Sequence, residues 1–151
     1  MRVQGFIAEA KTTGVEVLLD SRREGNILTP AIFGNVFPDS RLAQTEYFSP
    51  IVSIIKAASD EEAIEIANNT EFGLSSAYLY SGFGVKAISW QSDLEFGMTH
   101  VNDQTVNAIE NTPFGVVKGS GMGRFGNPWV IDEFTETKWV SIQIEERKFP
   151  F

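Results

Sequence analysis

The sequence contains no cysteine and a single histidine, His100. Without cysteine the chain can form no disulfide, supply no thiolate metal ligand and offer no thiol nucleophile. One imidazole cannot build a histidine-rich cage, and His100 reads as a structural residue beside a strand, so no metal site is expected. No apolar run approaches the roughly 20 residues that a membrane-spanning helix requires, which argues against a membrane partner. The first residues lack a basic head followed by a long apolar stretch, and a cytoplasmic location is the expectation. Positive charge is also scarce. Twelve Lys and Arg stand against 20 Asp and Glu, giving a net charge of −8. Such a surface repels phosphate backbones, so nucleic acid is not an expected partner.

What is present describes an ordinary globular chain. Its 151 residues are 42% apolar and 21% charged, enough for one domain with a hydrophobic core. Phe6, Ile7 and Ala10 recur at helical spacing over residues 4–13, and Gly14 supplies a stop. Residues 15–19 read as a strand, 22–26 as a turn, and 27–36 as extended, with Pro30 unsuited to a central ladder position. Residues 38–40 form a turn or short cap. The β-branched run 51–55 predicts a buried strand. Ser59 with Glu62 three residues later is a capping box that starts a helix through Asn68, with Ala63, Ile64, Ile66 and Ala67 as its apolar face. Strands at 75–80 and 98–101 flank a helix at 85–91. A short helix over 128–136 precedes a last strand at 138–144. Strands alternating with helices predict an α/β fold, mainly a parallel sheet with flanking helices.

Residues 102–126 are irregular, and a loop of that length in a compact chain is usually functional. Within it, residues 113–125 hold four glycines in thirteen residues. Gly121, Gly123 and Gly126 spell the dinucleotide string G-x-G-x-x-G. That mechanism needs a strand immediately before and a helix after within one βαβ unit, so the string is read as coincidence. Glu61, Glu62 and Glu65 sit at the start of one helix and are read as dipole partners only. Glu46 and Phe48, held by Pro50, allow two readings. A carboxylate there can accept hydrogen bonds from sugar hydroxyls while the ring packs on a flat heterocycle; equally, the stretch can be a plain loop with a solvated Glu and a buried Phe. Residues 139–144 alternate apolar with polar or small side chains, and can complete the chain's own sheet or pair with another chain.

Several segments, in order, resemble the carboxy-terminal part of an aldehyde dehydrogenase. They are residues 42–50 (Leu-Ala-Gln-Thr-Glu-Tyr-Phe-Ser-Pro), 51–56 (Ile-Val-Ser-Ile-Ile-Lys) and 63–77 (Ala-Ile-Glu-Ile-Ala-Asn-Asn-Thr-Glu-Phe-Gly-Leu-Ser-Ser-Ala), followed by 97–102 (Gly-Met-Thr-His-Val-Asn), the glycine-rich loop and 132–138 (Asp-Glu-Phe-Thr-Glu-Thr-Lys). Residues 99–104 and the ending 149–151 resemble the branch acting on aromatic aldehydes such as benzaldehyde or vanillin.

The resemblance implies two parts: residues 1–137 as the carboxy-terminal portion of a catalytic domain, and 138–151 as an oligomerisation strand and tail. It implies that Glu46 holds the nicotinamide ribose, that Phe48 lies beside the nicotinamide, and that Phe114 lines the aldehyde pocket. Asn102 matches a motif asparagine read as structural. Arg124 and Glu136 match a charged pair at subunit contacts, and Trp139, Ile142 and Ile144 lie on the oligomerisation strand, so a homo-oligomer or association with a related subunit is expected. Three positions depart from the family pattern: Ser49 and Val116 replace glycines, and Phe125 stands where many members have glutamate.

The family's reaction uses a cysteine thiolate, a hydride transfer to NAD or NADP, and a glutamate-activated water. The cysteine, the general-base glutamate and the dinucleotide domain lie in a part of the family's sequence that this chain does not match. No residue here is therefore expected to be catalytic. The chain alone is expected to be a truncated fragment without turnover and without bound cofactor. The alternatives are a non-enzymatic oligomerisation or interaction module, or one half of a split enzyme.

Overall fold

The computed structural model describes residues 2–79 and 89–150. The chain opens with α1 (Arg2–Thr12), which buries Phe6, Ile7 and Ala10. Those positions share one helix face because residues three and four apart stack along it. Gly14 ends the helix at φ +80°. Ile7 and Ala10 join Val15, Ala31, Phe33, Val36 and Leu42 in the core cluster.

The core rests on a three-stranded sheet ordered β1–β4–β5, with β1 (Glu16–Leu19), β4 (Ala31–Gly34) and β5 (Ile51–Ser53). Ala31 and Phe33 are fully buried; alternate side chains of a strand share a face, so both serve the core. Pro30 lies just outside this central strand, as its missing N–H requires. Between β1 and β4 the predicted turn is a hairpin of β2 (Arg23–Glu24) and β3 (Ile27–Leu28). Lys11 pairs with Asp20 at 2.6 Å, and its hydrogen bond holds that carboxyl below the usual carboxylate range. The predicted burial of residues 51–55 is not observed. β5 is an edge strand, and Val52 is 52% exposed, because nothing among the described residues covers its far side.

Ser40 leads into a short helix, α2 (Arg41–Gln44), that the sequence did not announce; it places Leu42 in the core. The capping box forms in part, its return bond reaching one residue before the cap. The Ser59 hydroxyl accepts from the Glu62 amide at 3.2 Å at the head of α3 (Asp60–Asn68), and the Glu62 carboxylate accepts from the Ala58 amide. The predicted apolar face is only partly right: Ile64, Ile66 and Ala67 are half-buried, and Ala63 is exposed.

A second sheet pairs β6 (Ser75–Tyr78) in parallel with β7 (Met98–Val101), registering Ser75 with Met98 and Tyr78 with Val101. The helix expected over 85–91 lies largely outside the described residues, as does Tyr80. After β7 come β8 (Phe114–Gly115), a 3-10 turn (Lys118–Ser120), β9 (Arg124–Phe125) and α4 (Trp129–Phe134).

Two sequence expectations are corrected. The architecture is mixed α/β, with small sheets that are mostly not parallel. β4–β5 and β6–β7 are parallel, whereas β1–β4, β2–β3 and β8–β9 are antiparallel. Parallel neighbours need a long crossover, which only the segments before β5 and between β6 and β7 supply. Secondly, residues 138–144 form no strand. A strand requires hydrogen-bonding neighbours, and among the described residues this tail has none: Trp139 is 91% and Ile144 95% exposed.

Candidate functional site

The glycine-rich loop folds back on residues 71–73, and Gly73 is where they meet. Its carbonyl accepts from the amides of both Gly97 and Val117 at 3.0 Å. Its own amide donates to the Ser120 hydroxyl at 2.8 Å, and Gly119 N donates to Glu71 O at 2.8 Å. At Gly97 a Cβ would collide with the Gly115 carbonyl and stand 2.8 Å from Val116 Cα. At Gly126, with φ +87°, it would strike the Thr112 carbonyl. These glycines thus allow backbone to lie on backbone, and no phosphate cradle is needed to explain them.

The folded loop forms one wall of an open cleft of about 400 Å³, lined by Glu46, Phe72, Leu74, Val116, Gly119 and Ser120. Glu46 is exposed at its rim. Phe48 projects from the same loop, 83% exposed, so the reading with a buried Phe does not hold. Its backbone is left-handed at φ +49°, a conformation costly for an aromatic residue and frequent at functional sites. Ser49 Oγ, next in the chain, is buried without a hydrogen-bond partner. Lys118 points elsewhere, donating to Asn68 O at 2.8 Å and pairing with Glu95 at 2.9 Å.

Phe114 is half-buried in β8, registered against Phe125 of β9, and is not among the residues lining the Glu46 cleft. Pro113 and Thr112 before it line a second hollow, of about 330 Å³, with Met98, His100 and Ile109. His100 Nε2 is buried without a hydrogen-bond partner. Asn102 ends β7 at φ +55°, its amide donating to Tyr78 O at 2.7 Å. Arg124 spends its guanidinium within the loop, on the carbonyls of Val116 (2.6 Å) and Gly123 (2.8 Å), while its amide donates to Glu133 at 2.9 Å. Glu136 is exposed and not joined to Arg124. Among the described residues no cluster of three or more acidic or histidine side chains could hold a metal ion, and no helix is long and apolar enough to cross a membrane.

The structure therefore brings Glu46 together with the glycine-rich loop, exposes Phe48 two residues along the chain, and sets Phe114 in the β8–β9 pair at the base of that loop, outside the cleft. Phe72, Leu74 and Ser120 of the cleft were not singled out from sequence; only the Ser among glycines carried any hint.

Residues 1–140 match the profile of the aldehyde dehydrogenase family. The chain belongs to this family. It is 54% identical over 97% of its length to AldY of Bacillus subtilis strain 168, of which it covers 30%. Its fold matches that of a salicylaldehyde dehydrogenase from Pseudomonas putida G7, solved with salicylaldehyde, at a TM-score of 0.90 and 35% identity, over 99% of this chain and 31% of that one. A Mycobacterium tuberculosis aldehyde dehydrogenase solved with NAD+ matches at a TM-score of 0.86 and 29% identity, over 97% of this chain and 31% of that one. The chain thus spans about a third of the length of the aldehyde dehydrogenases it matches.

Proposed function

We propose that this chain is the carboxy-terminal segment of an NAD(P)-dependent aldehyde dehydrogenase that oxidises an aromatic aldehyde to its acid, contributing binding walls but no catalytic group. The observation carrying this reading is the cleft that Glu46 lines together with the glycine-rich loop, with the exposed Phe48 two residues along the chain. NAD or NADP would accept the hydride lost by the aldehyde carbon. These residues fit such a cofactor: an exposed carboxylate can accept from two ribose hydroxyls, and an exposed ring can cover one face of a nicotinamide. Phe114 would supply apolar surface to the aldehyde. The aromatic class is supported by likeness to the salicylaldehyde enzyme.

No cysteine is present, so the covalent path through a thiohemiacetal has no nucleophile within this chain. Purified alone, the chain should show no aldehyde-dependent NAD reduction above buffer, and no micromolar NAD binding by calorimetry. Two contacts do not offset the cost of immobilising a dinucleotide. Turnover of benzaldehyde by the chain alone would overturn this reading. Recovery of turnover on mixing with a polypeptide bearing the cysteine and cofactor domain would instead mark one half of a split enzyme.

A second reading is favoured by the tail. Trp139, Ile142 and Ile144 stand in solvent, as expected of a surface that joins a second copy or a related subunit. The chain could then serve as an association module with no activity of its own.

A further inference from the structure

We infer that Tyr47 is the positioning residue of the cofactor loop, fastening the chain between Glu46 and Phe48 so that these two side chains face outward. The inference rests on the proposed roles of Glu46 and Phe48. Exposure alternates along these three residues, although the left-handed turn at Phe48 means that no regular strand imposes it. Glu46 and Phe48 are exposed, while Tyr47 turns inward and is half-buried against the core cluster.

Two contacts hold it. The Tyr47 ring meets Phe6 of α1 edge-on, with centroids 4.7 Å apart and planes at 71°. Its hydroxyl donates to the Arg41 carbonyl of α2 at 2.8 Å. Those anchors are themselves fixed. The Arg41 guanidinium lies 4.3 Å from the Phe6 ring centre and pairs with Glu9 at 2.8 Å. Three residues beyond Tyr47, the Pro50 carbonyl accepts from Ala31 of the central strand at 2.9 Å. Segment 46–49 is therefore clamped at both ends, which explains how Phe48 is kept in its costly left-handed conformation. Burial pushes the Tyr47 phenol up to about 12, so the hydroxyl keeps its proton and its donor role throughout the neutral range.

A residue that merely fills the core would loosen the molecule as a whole. A positioning residue loosens one loop and weakens one ligand. The test uses Tyr47→Ala and Tyr47→Phe in two settings: the 151-residue chain, and a chimera in which this chain replaces the matching segment of AldY. In the chain, amide hydrogen exchange at Thr45 and Ile51, the hydrogen-bonded amides on either side of segment 46–49, should accelerate about tenfold for Tyr47→Ala and less for Tyr47→Phe, with α3 unchanged. In the chimera, KM for NAD should rise about tenfold with kcat held within about twofold, and Tyr47→Phe should recover most of the loss. Unchanged exchange at Thr45 and Ile51, or acceleration spread evenly over the chain, overturns the inference. Faster local exchange with an unchanged KM for NAD supports the clamp and overturns the cofactor reading of Glu46 and Phe48. Should the alanine variant not fold, Tyr47→Leu, which keeps apolar bulk but removes both the ring contact with Phe6 and the hydroxyl, is judged by the same exchange and KM outcomes.

Discussion

The side chains proposed to meet the cofactor are easier to find in this sequence than the glycines of the neighbouring loop. Glu46 and Phe48 stand out because a carboxylate and an aromatic flank one residue ahead of a proline, and both are exposed as a ligand contact requires. Gly97 carried no such mark, being one glycine before a strand. Its role appears only when β7 and the glycine-rich loop are laid together, since no spacing rule says which carbonyl will rest on which Cα. Gly97→Ala should therefore be among the more damaging single-methyl changes, because the new Cβ would meet the backbone of Gly115 and Val116, which has no rotamer to yield. A loss of about 3 kcal/mol is expected in urea unfolding. Stability within about 0.5 kcal/mol of the parent would show that the loop does not rest on β7 in solution.

Elements with a local cause were legible, and elements that depend on distant chain were not. α1 follows from Phe6, Ile7 and Ala10 with Gly14 behind them, and α3 from Ser59 and Glu62; each signal lies within one helical turn of what it specifies. By contrast, β5 was expected to be buried because Ile51, Val52, Ile54 and Ile55 look like core. Burial, however, is decided by what packs on the far face, about which the strand's own residues say nothing. Parallel pairing is less extensive than expected for the same reason: alternation of elements hints at crossovers but does not fix which strands become neighbours. The Ser59 cap offers a check on the local side of this contrast. Ser59→Ala removes the acceptor of the Glu62 amide and should cost about 1 kcal/mol, with loss of helical circular dichroism on heating that begins earlier than in the parent. No shift in the melt would mean that the Glu62 contact with Ala58 holds the helix start unaided.

At the scale of the molecule, the small core around Phe33 contrasts with the apolar residues left on the outside. Val52 and Ile54 on the sheet edge, Phe48 on its loop and the tail residues all stand in solvent. A chain that spans about a third of its relatives is expected to show such surfaces, which the remaining two thirds, or a second subunit, would cover. If the tail acts as a subunit contact, the chain should sediment as an oligomer, and changing Trp139, Ile142 and Ile144 together to serine should return it to a 16.7 kDa monomer. Those side chains touch little, so the melting curve of the variant monomer should barely change. A parent that already sediments as a monomer would remove the association reading. The exposure of Trp139 has an optical consequence as well. Indole fluorescence shifts to shorter wavelength as the ring leaves water, and the other two tryptophans, Trp90 and Trp129, are half-buried from the start. The tail thus carries an intrinsic dye at the place where a neighbour would land, and docking of that neighbour can be followed by emission colour without attaching a label.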